Sequence, residues 1–152
     1  MVDNFINELK ILCINTPLVE QVAYGDISEY NNKQVKYPYI NLDIVDTNFR
    51  RGILYHTIRF YVMDRNINTL ISLNKCESIL DSIMKNNQMQ IVDYSGNPFV
   101  LDYKDQINGY WTDIEIPEVV FVSVDPLCGN VDTELNSWTI VGNDLIKNNS
   151  LL

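Results

Sequence analysis

Residues 39–63, Tyr39-Ile40-Asn41-Leu42-Asp43-Ile44-Val45, then Asp46-Thr47-Asn48-Phe49-Arg50-Arg51-Gly52, then Ile53-Leu54-Tyr55-His56-Thr57-Ile58-Arg59-Phe60-Tyr61-Val62-Met63, are the stretch on which the fold turns. In 39–45 the apolar Ile40, Leu42 and Ile44 alternate with Asn41 and Asp43, the period of a strand with one face buried. Residues 46–52 are polar, end in glycine and read as a hairpin tip. Alternation resumes in 53–63. Leu54, His56, Ile58, Phe60 and Val62 form the more apolar set and should face the core, with Tyr55, Thr57, Arg59 and Tyr61 on the other side.

Upstream, Phe5, Leu9, Leu12 and Cys13 repeat at helical spacing, which predicts a helix over about 4–14, capped by Asp3 or Asn4 and ended by Pro17. The polar stretch 25–36 reads as a surface loop. Downstream, Leu73, Cys76, Leu80 and Ile83, widened by Ile79 and Met84, predict a second helix over about 68–85. Strands are expected over 89–94 and 99–104, joined by a turn at 95–98, and over 110–116 and 119–124 with Pro117 between them. The fold class is therefore α+β, a mainly antiparallel sheet backed by two helices. Residues 1–125 are read as one domain. From Pro126 the periodicity dissolves, and residues 126–152 read as an extended C-terminal arm that becomes ordered in an assembly, with Trp138 and Ile140 against another surface.

The chain has 152 residues, 46% hydrophobic and 11% aromatic, enough for one domain that buries roughly 70% of its unfolded surface. It contains no apolar run of about 18 residues and no basic, apolar leader, so neither a membrane span nor an export signal is expected. Cys13, Cys76 and Cys128 are widely spaced and suit neither a disulfide framework nor a metal knuckle.

Motifs for catalysis are few. His56 is the only histidine, on the apolar set of its strand, and a nucleophilic pair would have to join it to Cys76, which also faces a core. Asp93 followed by Asp102-Tyr103-Lys104 resembles the two carboxylates and lysine of metal-dependent nucleases, where the acids hold a divalent ion and the lysine helps activate water. Six glycines assemble no phosphate-cradling loop. These residues imply no cofactor, and a structural or binding role is expected in place of an enzyme's.

Residues 37–40, Tyr-Pro-Tyr-Ile after a polar loop, the strand 54–63 running straight into the helix of Leu73, Leu80 and Ile83, and Gly109-Tyr110-Trp111 opening the last strand region carry a resemblance. In element order and in these short signatures, residues 1–125 resemble the tail-completion or tail-terminator group of bacteriophage head-to-tail connector proteins. The resemblance implies a virion protein made in the host cytoplasm: a homo-oligomeric ring in the phage neck or tail, touching neighbouring neck or tail proteins while DNA passes through. It implies no catalytic residues. A monomeric adaptor or inhibitor module and the nuclease remain as alternatives. The residues favoured for contacts are Phe49, Arg50 and Arg51 at the hairpin tip, two adjacent cations beside an aromatic, together with Trp138 and Ile140.

A chain with 20 Asp and Glu against 11 Lys and Arg, net charge −9, has little scope for releasing counterions from phosphates. Fluorescence anisotropy with labelled duplex at about 150 mM salt should therefore show no submicromolar affinity. Tight binding there would favour the nuclease.

Overall fold

The computed structural model describes residues 2–30, 34–102, 104–121 and 138–148. Strands β2 (Tyr39–Arg50) and β3 (Ile53–Arg65) form the long hairpin, and alternation continues past the expected strand ends almost to the turn. The turn itself is only Arg51-Gly52, with φ of 52° and 80°. Positive φ at both central residues is the geometry whose twist matches two paired strands, and glycine takes it without a Cβ penalty. One residue, Val45, is extra in β2, and the register slips between Ile44 and Asp46. Beyond that bulge Thr47 and Phe49 share the face of His56 and Leu54, while Asp46, Asn48 and Arg50 share that of Thr57, Tyr55 and Ile53.

The rest of the sheet is laid on this pair. On the β3 side come β5 (Ile107–Pro117) and β4 (Asn97–Asp102), both antiparallel. On the β2 side β1 (Gln21–Tyr24) pairs in parallel over Tyr39 to Leu42, followed by β7 (Asp144–Lys147) and β6 (Trp138–Val141). The result is a seven-stranded sheet in the order β4-β5-β3-β2-β1-β7-β6. It is an α+β fold with a mostly antiparallel sheet and two helices, as the alternation and the helical stripes predicted.

Helices α1 (Val2–Ile14) and α2 (Thr69–Met84) cover one face. Asn68 starts α2, its side chain accepting hydrogen bonds from the N–H groups of Leu70 and Ile71. Phe5, Leu9 and Cys13 from α1 and Cys76, Leu80 and Ile83 from α2 join Ile40, Leu42, Ile58, Phe60 and Val62 in one buried cluster. Leu73 departs from the predicted stripe: it is half-buried, and Ser72 takes the inward position, where its hydroxyl donates to buried Asp64 at 3.3 Å. His56 is in the core as expected, 1% exposed. The opposite face carries a smaller cluster of Ala23, Tyr39, Met63 and Ile107, against which Ile27, Tyr30 and Val35 pack from the 25–38 segment. The polar stretch runs over the surface as expected, with Ile27, Tyr30 and Val35 turned inward. It covers Asn41, which is buried and donates to the Gly25 carbonyl at 2.8 Å.

Three further expectations are corrected. Residues 90–96 form no strand; the chain runs along α2, with Met89 buried and the Tyr94 hydroxyl donating to Asp81. Residues 118–121 are a short 3-10 helix where a strand was expected, and 122–124 lie outside the described residues. Of the 126–152 arm, the described part, residues 138–148, is a β-hairpin in the domain's own sheet: β7 pairs with β1, and Leu145 is 4% exposed within the main core. Strands of four residues are too short to show a period, so only their pairing reveals them. Among the described residues no helix is long and apolar enough to cross a membrane.

Leu80→Ala should destabilise the fold by about 2–5 kcal/mol, because it opens a cavity between α2 and the sheet. Leu73→Ala should cost clearly less. Urea unfolding of both variants checks the inward face of α2, and equal losses would contradict it.

Candidate functional site

The β2–β3 hairpin overhangs the rest of the molecule. Every residue from Val45 to Gly52 is exposed, and Phe49 is 70% exposed although it points to the side of the sheet that the helices cover elsewhere. The two adjacent arginines have different surroundings. Arg50 Nη2 donates to Glu115 Oε1 at 2.5 Å across β3, and its guanidinium lies 4.2 Å from the centre of the Tyr55 ring. Arg51 sits in the turn, exposed and with no ion pair among the described residues. Their adjacency in sequence predicts one cationic patch. The structure shows one arginine engaged within the chain and one offered to solvent.

Behind the tip, the sheet face opposite the helices repeats the arrangement of Arg50. Arg59 makes a two-pronged pair with Asp113, at 2.7 and 2.8 Å, and lies 4.6 Å over the Trp111 ring. Tyr61 and Phe99 meet edge to face, with ring centres 5.8 Å apart. An arginine fork bound to a carboxylate and stacked on a ring is held in one geometry. The signal for this face was already in the odd set Tyr55, Thr57, Arg59 and Tyr61. What sequence did not show was the β5 partners, more than fifty residues away.

Asp43 lies opposite Arg59 in the ladder, but Asp113 holds that arginine. Burial lifts the Asp43 carboxyl above its ordinary range; Asp26 adds to the lift and Arg59 opposes it. Beside it a hollow of about 250 Å³ is lined by Tyr24, Asp26, Glu29, Tyr30, Asn41 and Asp144, among others.

Trp138 and Ile140 stand elsewhere, on β6 at the far end of the sheet, with β1 and β7 between them and β2. Trp138 is half-buried against the main core and Ile140 is 63% exposed. Together with Lys10 and Ile11 of α1 they line a hollow of about 310 Å³. The five residues favoured for contacts therefore do not form one patch.

The residues considered for catalysis are not brought together by the expected hairpin. Asp93 lies in the irregular 90–96 segment, Asp102 ends β4 after a register slip, and exposed Lys104 lies in the turn beyond it. Among the described residues no group of three His, Cys, Asp or Glu is placed to hold a metal. Burial pushes the Cys13 and Cys76 thiols well above their ordinary range, away from the nucleophilic thiolate; Cys128 lies outside the described residues. His56 Nδ1 is 3.0 Å from the Thr47 hydroxyl, and Nε2 is 3.8 Å from the Glu118 carboxylate, beside the Phe5 ring. This set ties β2, β3, α1 and the 118–121 helix together.

In comparison with known proteins, the chain matches no protein-family model, no curated protein and no solved structure.

A carboxyl whose pKa is raised by folding destabilises the native state once ionised. That penalty is complete above the folded-state pKa and gone below the unfolded-state value. Asp43→Asn should accordingly raise the melting temperature at neutral pH, with the gain fading as the pH falls through the folded-state pKa of Asp43. A gain independent of pH would assign the effect to something other than ionisation.

Proposed function

We propose that the chain is a virion structural protein, a subunit that self-associates into a ring in a phage neck or tail and joins head-side proteins to the tail around the DNA path. The observation that carries this reading is the overhanging hairpin, which presents Phe49 and Arg51, a cation with no ion pair among the described residues, on a chain of net charge −9. A ring is closed by heterologous contacts, in which one patch meets a different patch on the next copy. A cationic, aromatic tip and an acidic body are complementary in that sense. Phe49 is an expensive side chain to leave in water, and arginine beside an aromatic is the composition of an interface core. The element order of helix, polar loop, hairpin, helix and hairpin resembles that of the connector proteins and supports the same reading. An acidic subunit also suits a passage that must not hold DNA.

Analytical ultracentrifugation and native mass spectrometry of the purified protein test the proposal. The wild type should form a closed oligomer that weakens with added salt. Phe49→Ala with Arg51→Glu should keep the wild-type melting transition but shift the population to smaller species. Normal assembly of that variant would place the ring contact elsewhere. A wild type that stays monomeric at every concentration would favour the adaptor or inhibitor module.

A further inference from the structure

Among the described residues, the outer edge of β2 is bare beyond its first third. β1 covers it only as far as Leu42, and the last bond on that side is the Gly25 N–H donating to the Leu42 carbonyl at 2.9 Å. Among the described residues no strand pairs with the outer edge of residues 46–50. A bare edge is a row of backbone donors and acceptors ready for another strand.

Two observations say which residues present those groups. The Leu42 carbonyl points outward, so even-numbered residues address the outer edge before the bulge, and the extra Val45 hands that role to odd-numbered ones after it. Independently, a two-residue turn is closed by a hydrogen-bonded pair, here Arg50 with Ile53, so Arg50, Asn48 and Asp46 bond inward to β3. Thr47 and Phe49 are therefore the residues whose backbone groups face outward. An incoming strand must bond to these two.

We infer that residues 46–50 of β2 pair antiparallel with the same residues of a second copy, about a two-fold axis at Asn48. In this register each Thr47 exchanges backbone hydrogen bonds with the second copy's Phe49. Asn48 stands opposite Asn48, and Asp46 stands opposite the second copy's Arg50, twice by symmetry. Asp46, Asn48 and Arg50 lie on one face of the strand, so the charges meet. A register centred on Thr47 puts Phe49 opposite the bulge residue Val45, one centred on Phe49 puts Thr47 opposite the turn residue Arg51, and neither places an acid opposite a base. The segment is thus self-complementary about one residue in both hydrogen bonding and charge. On the other face each exposed Phe49 ring gains the second copy's Thr47 as a neighbour. Arg50 is held by Glu115 in the single chain, but that pair is exposed, at 50% and 39%, and weak. A guanidinium has donors for two carboxylates. The bulge at Val45 and the turn at Arg51 bound the ladder at both ends and keep it short.

This contact differs from the ring reading in kind: it uses the backbone edge of residues 46–50, whereas the ring contact uses the side chains of Phe49 and Arg51. A two-fold contact joins two subunits, or two rings face to face, and closes no ring by itself.

Cross-linking tests it. In a Cys128→Ser background the remaining native thiols, Cys13 and Cys76, are buried. Opposed residues of a non-hydrogen-bonded pair have Cα atoms about 4.5 Å apart, within disulfide reach. Asn48→Cys should therefore give a covalent dimer under mild oxidation, seen on non-reducing gels, whereas Arg51→Cys should not. Adding Asp46→Arg should weaken association by about tenfold or more, through two repelling cross-strand pairs, and adding Arg50→Asp as well should restore it. Circular dichroism melting confirms that each variant folds. Failure of Asn48→Cys to cross-link while the protein still forms larger oligomers overturns the edge pairing and leaves the ring. Failure together with a monomeric protein overturns both.

Discussion

The pairing of β2 with β3, closed by Arg51-Gly52, is the constraint on which the rest of the structure depends. With both turn residues at positive φ, the hairpin has one register, and the single slip at Val45 is the only break in it. Register decides everything downstream, because a shift of one residue exchanges the two faces of a strand. As built, Ile58, Phe60 and Val62 face the helices, and Arg59 and Tyr61 face away. β5 reads its own faces from β3, and β1 from β2. The core and the face opposite it are two outcomes of one alignment.

The arrangement of charge follows from that alignment. Arg50 with Glu115, Arg59 with Asp113, Arg65 with Asp105, Lys75 with Asp64 and Lys85 with Asp81 use many of the chain's cations on its own carboxylates. Most of these pairs are exposed and contribute little stability individually. Their larger effect is on what remains. The acidic excess is concentrated in carboxylates outside these pairs, such as those around Asp26 and Asp43, and Arg51 stands out as a cation at the end of a lever.

Much of this was legible in the sequence, and the parts that were not share a cause. The alternation in 39–63 gave the hairpin, and helical spacing gave α1 and α2 within two residues at each end. Both signals are local and long enough to show a period. β1, β6 and β7 have four residues each, so nothing in their composition distinguishes them from loops. Residues 89–94 show the opposite case. Met89, Ile91 and Tyr94 pack against the main core while Val92 is exposed, and the segment alternates without becoming a strand. At the candidate site, Phe49, Arg50 and Arg51 were legible as a tip because the glycine and the polar run mark a turn. That Arg50 is held by Glu115, 65 residues on, required the β3–β5 register.

The sheet joins the earliest strand to the latest. Gln21 of β1 donates a hydrogen bond to Asp144 of β7, 123 residues further on, and Lys10 of α1 reaches the Asn143 carbonyl. On a ribosome adding roughly 5–20 residues per second, that interval is about 6–25 s. Throughout it the nascent chain can close the β2–β3 hairpin and seat α2, but β1 keeps one side open and α1 lacks part of its support. Contacts so distant in sequence also form slowly once the chain is complete. Synthesis of this protein therefore passes through a state with an unpaired Gln21–Tyr24 edge, the species on which a chaperone, or a misdirected neighbouring chain, would act first.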